Sequence, residues 1–260
     1  DAKAEIFAGL EPGGKVFIGH DHSHVQRLLD QANVAGAEPL TYGFDAGADV
    51  VIADYVAGAD GAEGTIAGKG ISLALRVPTL GRHTFGNAVG ALLAAGALGV
   101  PEEIAAGALA VHGAPEGRGL AFRLGHEPNP LVLVDESYNA NPASMRAALD
   151  VFGQMQGPSG KRVVVLGDMR ELGATSDKLH ADLAPLVVAS QPDAVWLVGE
   201  HMKALKAALP DKLVAGHATV GAEISDAILA TLAYGDLVMI KGSNGIKLGA
   251  LVARIRGQFG

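Results

Sequence analysis

From Leu131 onward, short apolar runs alternate five times with amphipathic stretches. The runs are Leu131–Asp135, Arg162–Leu166, Ala194–Val198, Lys212–Ala215 and Leu237–Lys241. Each reads as a strand, and helices are expected to begin near Pro142, Ser176, His201, Ala222 and Gly245. Near-continuous Val, Leu and Ile in strands that alternate with helices predict a parallel sheet covered on both faces. Such sheets collect ligands beyond the carboxyl ends of their strands. The polar runs stand at those ends: Asp135-Glu136-Ser137-Tyr138-Asn139, Gly167-Asp168-Met169, Gly199-Glu200 and Lys241-Gly242-Ser243.

The first 112 residues follow a different pattern. A helix tail opens the chain, Val16–Gly19 reads as a strand, and His24–Asn33 carries Val25, Leu28, Leu29 and Ala32 at helical spacing. Asp49–Val56 and Ile71–Val77 read as strands, with a glycine-rich turn region around Gly58–Gly70 between them. Asn87–Leu98 and Glu102–Val111 read as helices, the second introduced by Pro101. The run His112–Gly117 is the linker candidate, so two domains are expected, 1–112 and 113–260.

Composition narrows the class. The chain has 260 residues, a formal net charge of −8 and no cysteine. That leaves no thiol nucleophile and no disulfide framework. The acidic balance argues against nucleic acid, whose phosphates reward clustered Lys and Arg. No apolar run approaches the roughly 20 residues that span a bilayer, so no membrane insertion is expected.

Three motifs are decoys. Gly9–Val16 has most of the P-loop spacing but ends on Val16 and runs from helix into strand, opposite to the order that brings amides and helix dipole to a phosphate. Gly157–Lys161 is of the same kind. His20, His22 and His24 alternate in one loop, which does not converge three rings on a metal, and Asp21 or Ser23 is expected to cap the following helix. The first strand of the second half is followed by Asp135-Glu136-Ser137 in place of a G-x-G-x-x-G turn, which excludes a dinucleotide fingerprint.

Asn141-Pro142 suits an N-cap with proline at N1. Capping does not account for Asp135, Tyr138 and Asn139 ahead of it. Asp135–Pro142 resembles the D-[DE]-S-Y-N-A-N-P motif of the Mur ligases. Leu166–Gly173 resembles the family's L-G-D-M-x-E-L-G, His180 the histidine of its S-x-x-x-H segment, and Ile240–Gly245 its V-K-G-S-[RN]-G. Upstream, Gly81–Ala88 resembles G-R-H-N-x-x-N-A, and Ala2–Phe7 resembles A-K-x-x-[IL]-F. The set runs in order along essentially the whole chain. Thr84 stands where the common pattern has Asn, and Glu136 where the commoner form has a second Asp.

The resemblance implies an α/β chain: the end of the family's central ATPase domain, followed by its Rossmann-like C-terminal domain. It implies ATP and Mg2+ as cofactors and amide formation through an acyl phosphate. In the branch with this motif version, the partners are UDP-N-acetylmuramoyl-tripeptide and D-alanyl-D-alanine. The setting is the bacterial cytoplasm and the expected state a monomer.

By the same resemblance, Lys3 aligns with a lysine that becomes a magnesium ligand when carbamylated. Asn87 aligns with an adenine contact and Arg118 with an arginine that reaches the ATP phosphates from a mobile glycine hinge. Asp135, Tyr138 and Asn139 extend the nucleotide surface. Asp168 and Ser243 fall where the dipeptide is handled, and His180 and Lys241 where the acyl phosphate is closed over. The family's G-T-x-G-K-[ST] loop is absent from the sequence, so the chain is expected to be a fragment that cannot turn over alone. Two other readings share part of the pattern: a different amide ligase of the superfamily, such as a folylpolyglutamate-type enzyme, and a non-catalytic Rossmann-like binding module.

Overall fold

The computed structural model describes residues 4–11, 13–58, 61–79, 81–113, 116–155 and 159–260. The chain forms two compact units, residues 1–113 and 114–260. Lys3 lies outside the described residues.

The first unit starts with a 3-10 helix, Ala4–Gly9, in the place of the expected helix tail. Then follow β1 (Lys15–Gly19), α1 (Val25–Val34), β2 (Glu38–Gly43), β3 (Val50–Gly58), β4 (Gly61–Gly68), β5 (Ile71–Val77), α2 (Arg82–Ala97) and α3 (Glu102–Val111). The sheet order is β1-β2-β3-β4-β5. Its first three strands are parallel, and β3, β4 and β5 run antiparallel.

The expected glycine-rich turn region is therefore mostly a strand. In β4, Ala62, Gly64 and Ile66 are buried at alternate positions. Gly64 is the seat of Phe85, since a Cβ there would stand 3.1 Å from the Phe85 ring. Gly68, at φ +137°, lies so close to the Asp49 carbonyl that a Cβ would come to 2.0 Å. These glycines permit close approach of backbone and ring, not a bend. β2, Glu-Pro-Leu-Thr-Tyr-Gly, also escaped the periodicity, because it is only partly buried and contains a proline.

The second unit runs β6 (Leu120–Leu124), β7 (Leu131–Glu136), α4 (Pro142–Gln154), β8 (Arg162–Gly167), α5 (Ser176–Ala181), α6 (Ala184–Ala189), β9 (Ala194–Val198), α7 (Met202–Ala208), β10 (Val214–Ala218), α8 (Gly221–Thr231), β11 (Leu237–Lys241) and α9 (Gly249–Phe259). The strand order is β10-β9-β8-β11-β7-β6, parallel throughout except for β6, which pairs antiparallel with β7. Alternation along each strand divides the core. Val164 and Leu166 face one apolar cluster with Met145, Leu149 and Phe152 of α4. Val163 and Val165 face the other, with Ile228 of α8 and Ile255 of α9.

At the amino end of β8, the Arg162 guanidinium donates to the carbonyls of Phe152 (2.6 Å), Met155 (2.8 Å), Ser190 (3.2 Å) and Gln191 (3.1 Å). Burial, its main cause, lowers the pKa of this arginine. Among the described residues no helix is long and apolar enough to cross a membrane.

Phe85 is fully buried in the core of the first unit, edge-on to Tyr55. Phe85→Ala is expected to destabilise that unit by about 3–5 kcal/mol, read from urea unfolding. A loss under roughly 1 kcal/mol would mean that Phe85 does not anchor this core.

Candidate functional site

Strands β7, β11 and β8 are adjacent, so their carboxyl-end loops meet in one place. Each loop begins with backbone N–H groups that have left the sheet ladder, and a buried N–H needs an acceptor. The motif side chains supply those acceptors.

Asp135, the penultimate residue of β7, is buried. Its Oδ2 accepts from Gly117 N–H and its Oδ1 from Ser137 N–H, both at 3.0 Å. Asp168, just past β8, accepts at the start of α7 from Met202 N–H (2.9 Å) and His201 N–H (3.3 Å). His180 on α5 is fully buried, and its Nε2 accepts from Met169 N–H at 2.9 Å. That bond leaves the proton on Nδ1, which donates to the Ser176 carbonyl at 2.7 Å. The Ser243 hydroxyl accepts from Arg170 N–H at 3.0 Å and donates to the Ala140 carbonyl at 3.4 Å.

These bonds change what the side chains can do. Both nitrogens of His180 are engaged by backbone, so the geometry gives it the work of holding the Met169 turn. Asp168 caps a helix. Asn141 and Ser144 form a reciprocal capping box on α4, with bonds of 2.8 and 3.0 Å.

Lys241, the last residue of β11, is only 2 % exposed. Its ammonium donates to Glu136 Oε2 at 3.2 Å and to the Asn139 carbonyl at 3.1 Å. A cation so deep in the sheet requires both partners. Sequence reasoning gave Glu136 no role, although a lysine closing an apolar strand signals the need for a nearby acid.

Arg118 and Tyr138 are among the residues that face outward. The Arg118 guanidinium lies over the Tyr138 ring, 4.3 Å from its centre, and Tyr138 is 48 % exposed. No acid among the described residues pairs with Arg118. Asn139 is exposed beside them and accepts from Ala140 N–H with its own side chain.

Arg118 stands between two glycines in a turn packed on the β7 loop. Gly117 and Gly119 have φ of +77° and +88° because the turn is pressed onto the β7 loop. A Cβ on Gly117 would stand 2.7 Å from Tyr138 Cβ. Asn87 belongs to the first unit, where it is exposed on α2.

The loop His20–His24 holds no metal cluster, and none exists among the described residues. Nor does Asp21 cap α1. It accepts from Phe44 N–H and Asp45 N–H and so ties the ends of β1 and β2 together.

Comparison with known proteins bears on this arrangement. The Mur ligase middle domain matches residues 1–95, and the Mur ligase, glutamate ligase domain matches residues 122–244. The chain belongs to the Mur ligase family. Among named Mur ligases, it is 31 % identical over 259 residues to the UDP-N-acetylmuramoyl-tripeptide–D-alanyl-D-alanine ligase of Bacillus subtilis (strain 168), covering 97 % of this chain and 53 % of the relative. The enzyme of the same name from Rickettsia prowazekii (strain Madrid E) is 34 % identical over 178 residues, 68 % of this chain and 38 % of the relative. The chain thus spans about half the length of the Bacillus relative. A crystal structure of MurF from Acinetobacter baumannii superposes with a TM-score of 0.83 at 26 % identity, covering 98 % of this chain and 54 % of that one. The MurF ligase from Thermotoga maritima, solved in complex with ADP, shares the fold with a TM-score of 0.80 at 17 % identity, covering 99 % and 56 %.

Two outcomes follow from this geometry. Lys241→Ala should cost about 3–5 kcal/mol, because it strands the Glu136 charge. Adding Glu136→Gln should recover part of that loss, and chemical denaturation of the single and double variants checks both.

The second outcome concerns His201, whose pKa is raised, first by its hydrogen bond to Asp177 (2.7 Å) and further by the charges of Asp168 and Glu200. A raised folded value means that the stabilising contact is fully present below the unfolded histidine value. It is lost as pH climbs through the raised one. NMR titration should show the His201 midpoint falling toward the ordinary value in Asp177→Asn. An unchanged midpoint would mean that the Asp177 contact is not the cause.

Proposed function

We propose that this chain supplies the nucleotide-facing part of an ATP-dependent ligase that joins D-alanyl-D-alanine to UDP-N-acetylmuramoyl-tripeptide in peptidoglycan precursor synthesis. The observation that carries the reading is Arg118. It is an exposed arginine that no acid among the described residues pairs with, held on an aromatic face at the carboxyl end of a parallel sheet. An arginine fork offers several fixed N–H donors to phosphate oxygens, and a neighbouring carboxylate would already have claimed them. The ordered motifs, together with 31 % identity across 97 % of the chain to an enzyme of that name, support the choice of substrates.

In this reading, an oxygen of the tripeptide carboxylate attacks the γ-phosphorus of ATP and ADP leaves. The amine of D-alanyl-D-alanine then attacks the acyl carbon of the resulting acyl phosphate. Inorganic phosphate leaves with the former carboxylate oxygen, and the amine gives up a proton. Such transfer depends on positioning and on neutralising anionic oxygens. Arg118 supplies positive charge to the phosphates, Tyr138 and Asn139 border the nucleotide, and Asn87 serves its adenine end. Lys241 and Glu136 hold the loop that carries Tyr138. Magnesium, when bound, would neutralise phosphate oxygens. Lys3, its proposed ligand if carbamylated, lies outside the described residues. A monomer working in the bacterial cytoplasm belongs to the same reading.

In the ligase polypeptide that carries this chain, Arg118→Ala is expected to cut phosphate release dependent on D-alanyl-D-alanine by about 10²-fold or more. The thermal midpoint should stay close to that of the parent, since the side chain is exposed. Turnover within about threefold of the parent would remove Arg118 from the role.

A further inference from the structure

Resting on the reading of Arg118 as a phosphate-binding residue, we infer that Asp135 is a positioning residue that acts through Arg118 and does not itself touch nucleotide. The turn Gly117-Arg118-Gly119 is attached to Asp135 on both sides of the arginine. Gly117 N–H donates to the carboxylate Oδ2 at 3.0 Å, and Gly119 N–H donates to the Asp135 main-chain carbonyl at 2.8 Å. The loop returns the contact, because Tyr138 N–H donates to the Gly117 carbonyl at 3.1 Å. The other carboxylate oxygen accepts from Ser137 N–H, which fixes the start of the segment bearing Tyr138.

One buried carboxylate therefore sets the backbone beneath the guanidinium and the backbone beneath the ring it rests on. Both left-handed glycines are required by that attachment. A Cβ at Gly119 would stand 3.1 Å from Glu136 Oε1, and one at Gly117 would meet Tyr138.

Asp236 is an internal control. It is equally buried, lies at the opposite end of β11, and divides its oxygens in the same way between Lys161 N–H (2.8 Å) and Ala233 N–H (2.9 Å). That is the amino end of the parallel strands, opposite the motif loops. A carboxylate bonded like this is satisfied by backbone alone. At Asp135 both oxygens are likewise taken up by backbone N–H donors, which stabilise its charge and leave it turned to the scaffold.

The experiment uses the 260-residue chain and has two arms. In the first, the arginine Nε–Hε signals are recorded by NMR. The Tyr138 ring should displace the Arg118 signal, and Tyr138→Leu calibrates the displacement. Asp135→Asn keeps one acceptor oxygen but turns an NH2 toward the other N–H. It should remove most of the displacement while the amides of β8 and β9 stay in place. Gly117→Ala, which leaves the carboxylate intact, should do the same. It also stands in if Asp135→Asn does not fold. Asp236→Asn should leave the Arg118 signal unchanged. A displacement that survives Asp135→Asn, or survives Gly117→Ala where Asp135→Asn does not fold, overturns the inference.

In the second arm, inorganic tripolyphosphate is the probe. Arg118→Ala and Asp135→Asn should each weaken its binding by about tenfold. In the Arg118→Ala background, Asp135→Asn should change nothing further. A further tenfold loss there would show Asp135 meeting the anion directly and would also overturn the inference. If the parent chain binds no tripolyphosphate, the phosphate reading of Arg118 falls, and the first arm alone decides whether Asp135 positions it.

Discussion

A strand that leaves a parallel sheet must find acceptors for the N–H groups that its neighbours no longer bond. In the second unit, that single requirement organises the whole carboxyl end of the sheet. Asp135 serves Gly117 and Ser137, Asp168 serves the start of α7, His180 serves Met169, and Ser243 serves Arg170. Remove the acceptors and the loops lose their shape before any ligand arrives. The polar motif is therefore scaffold first. Its outward chemistry is confined to the few side chains that the scaffold leaves facing solvent.

This division explains how far the fold and the site were legible. Four of the parallel strands of the second unit, β7, β8, β9 and β11, announced themselves because burial on both faces writes a continuous apolar run. The fifth, β10, has no buried residue and lies at the sheet edge; only Val214 and Ala215 of the expected run Lys212–Ala215 belong to it, Lys212 and Leu213 being in a 3-10 helix. β6 did not announce itself. It is an edge strand pairing on one side only, and Leu120, Phe122 and Leu124 alternate over too short a span to outweigh the loop signals around it. β4 was hidden for the opposite reason. Its glycines resemble a turn in one dimension and become packing seats only once Phe85 and Asp49 are brought alongside.

The residues of the candidate site could be named from the sequence, but what each of them touches could not. Asp135, Asp168, His180 and Ser243 carry side chains that could serve catalysis, and residue type alone does not say whether a group faces a ligand or a backbone amide. That distinction depends on Gly117, Met202, Met169 and Arg170, which meet them only in three dimensions. Lys241 is similar. Its place at the end of an apolar strand was visible, while the Glu136 and Asn139 contacts that make its burial tolerable come from a loop more than a hundred positions away. Arg118 is the reverse case, since its exposure beside Tyr138 and the lack of a pairing acid among the described residues are what distinguish it from the paired arginines 123, 254 and 256.

At the opposite end of β8, Arg162 grips the carbonyls of Phe152 and Met155 at the close of α4 and those of Ser190 and Gln191 after α6. One side chain thereby rivets two helices and a strand into a single stiff block. Strain applied to either helix is carried to the other through a planar group that cannot bend. That flank of the sheet gives the loops at the far end an anchored base to project from.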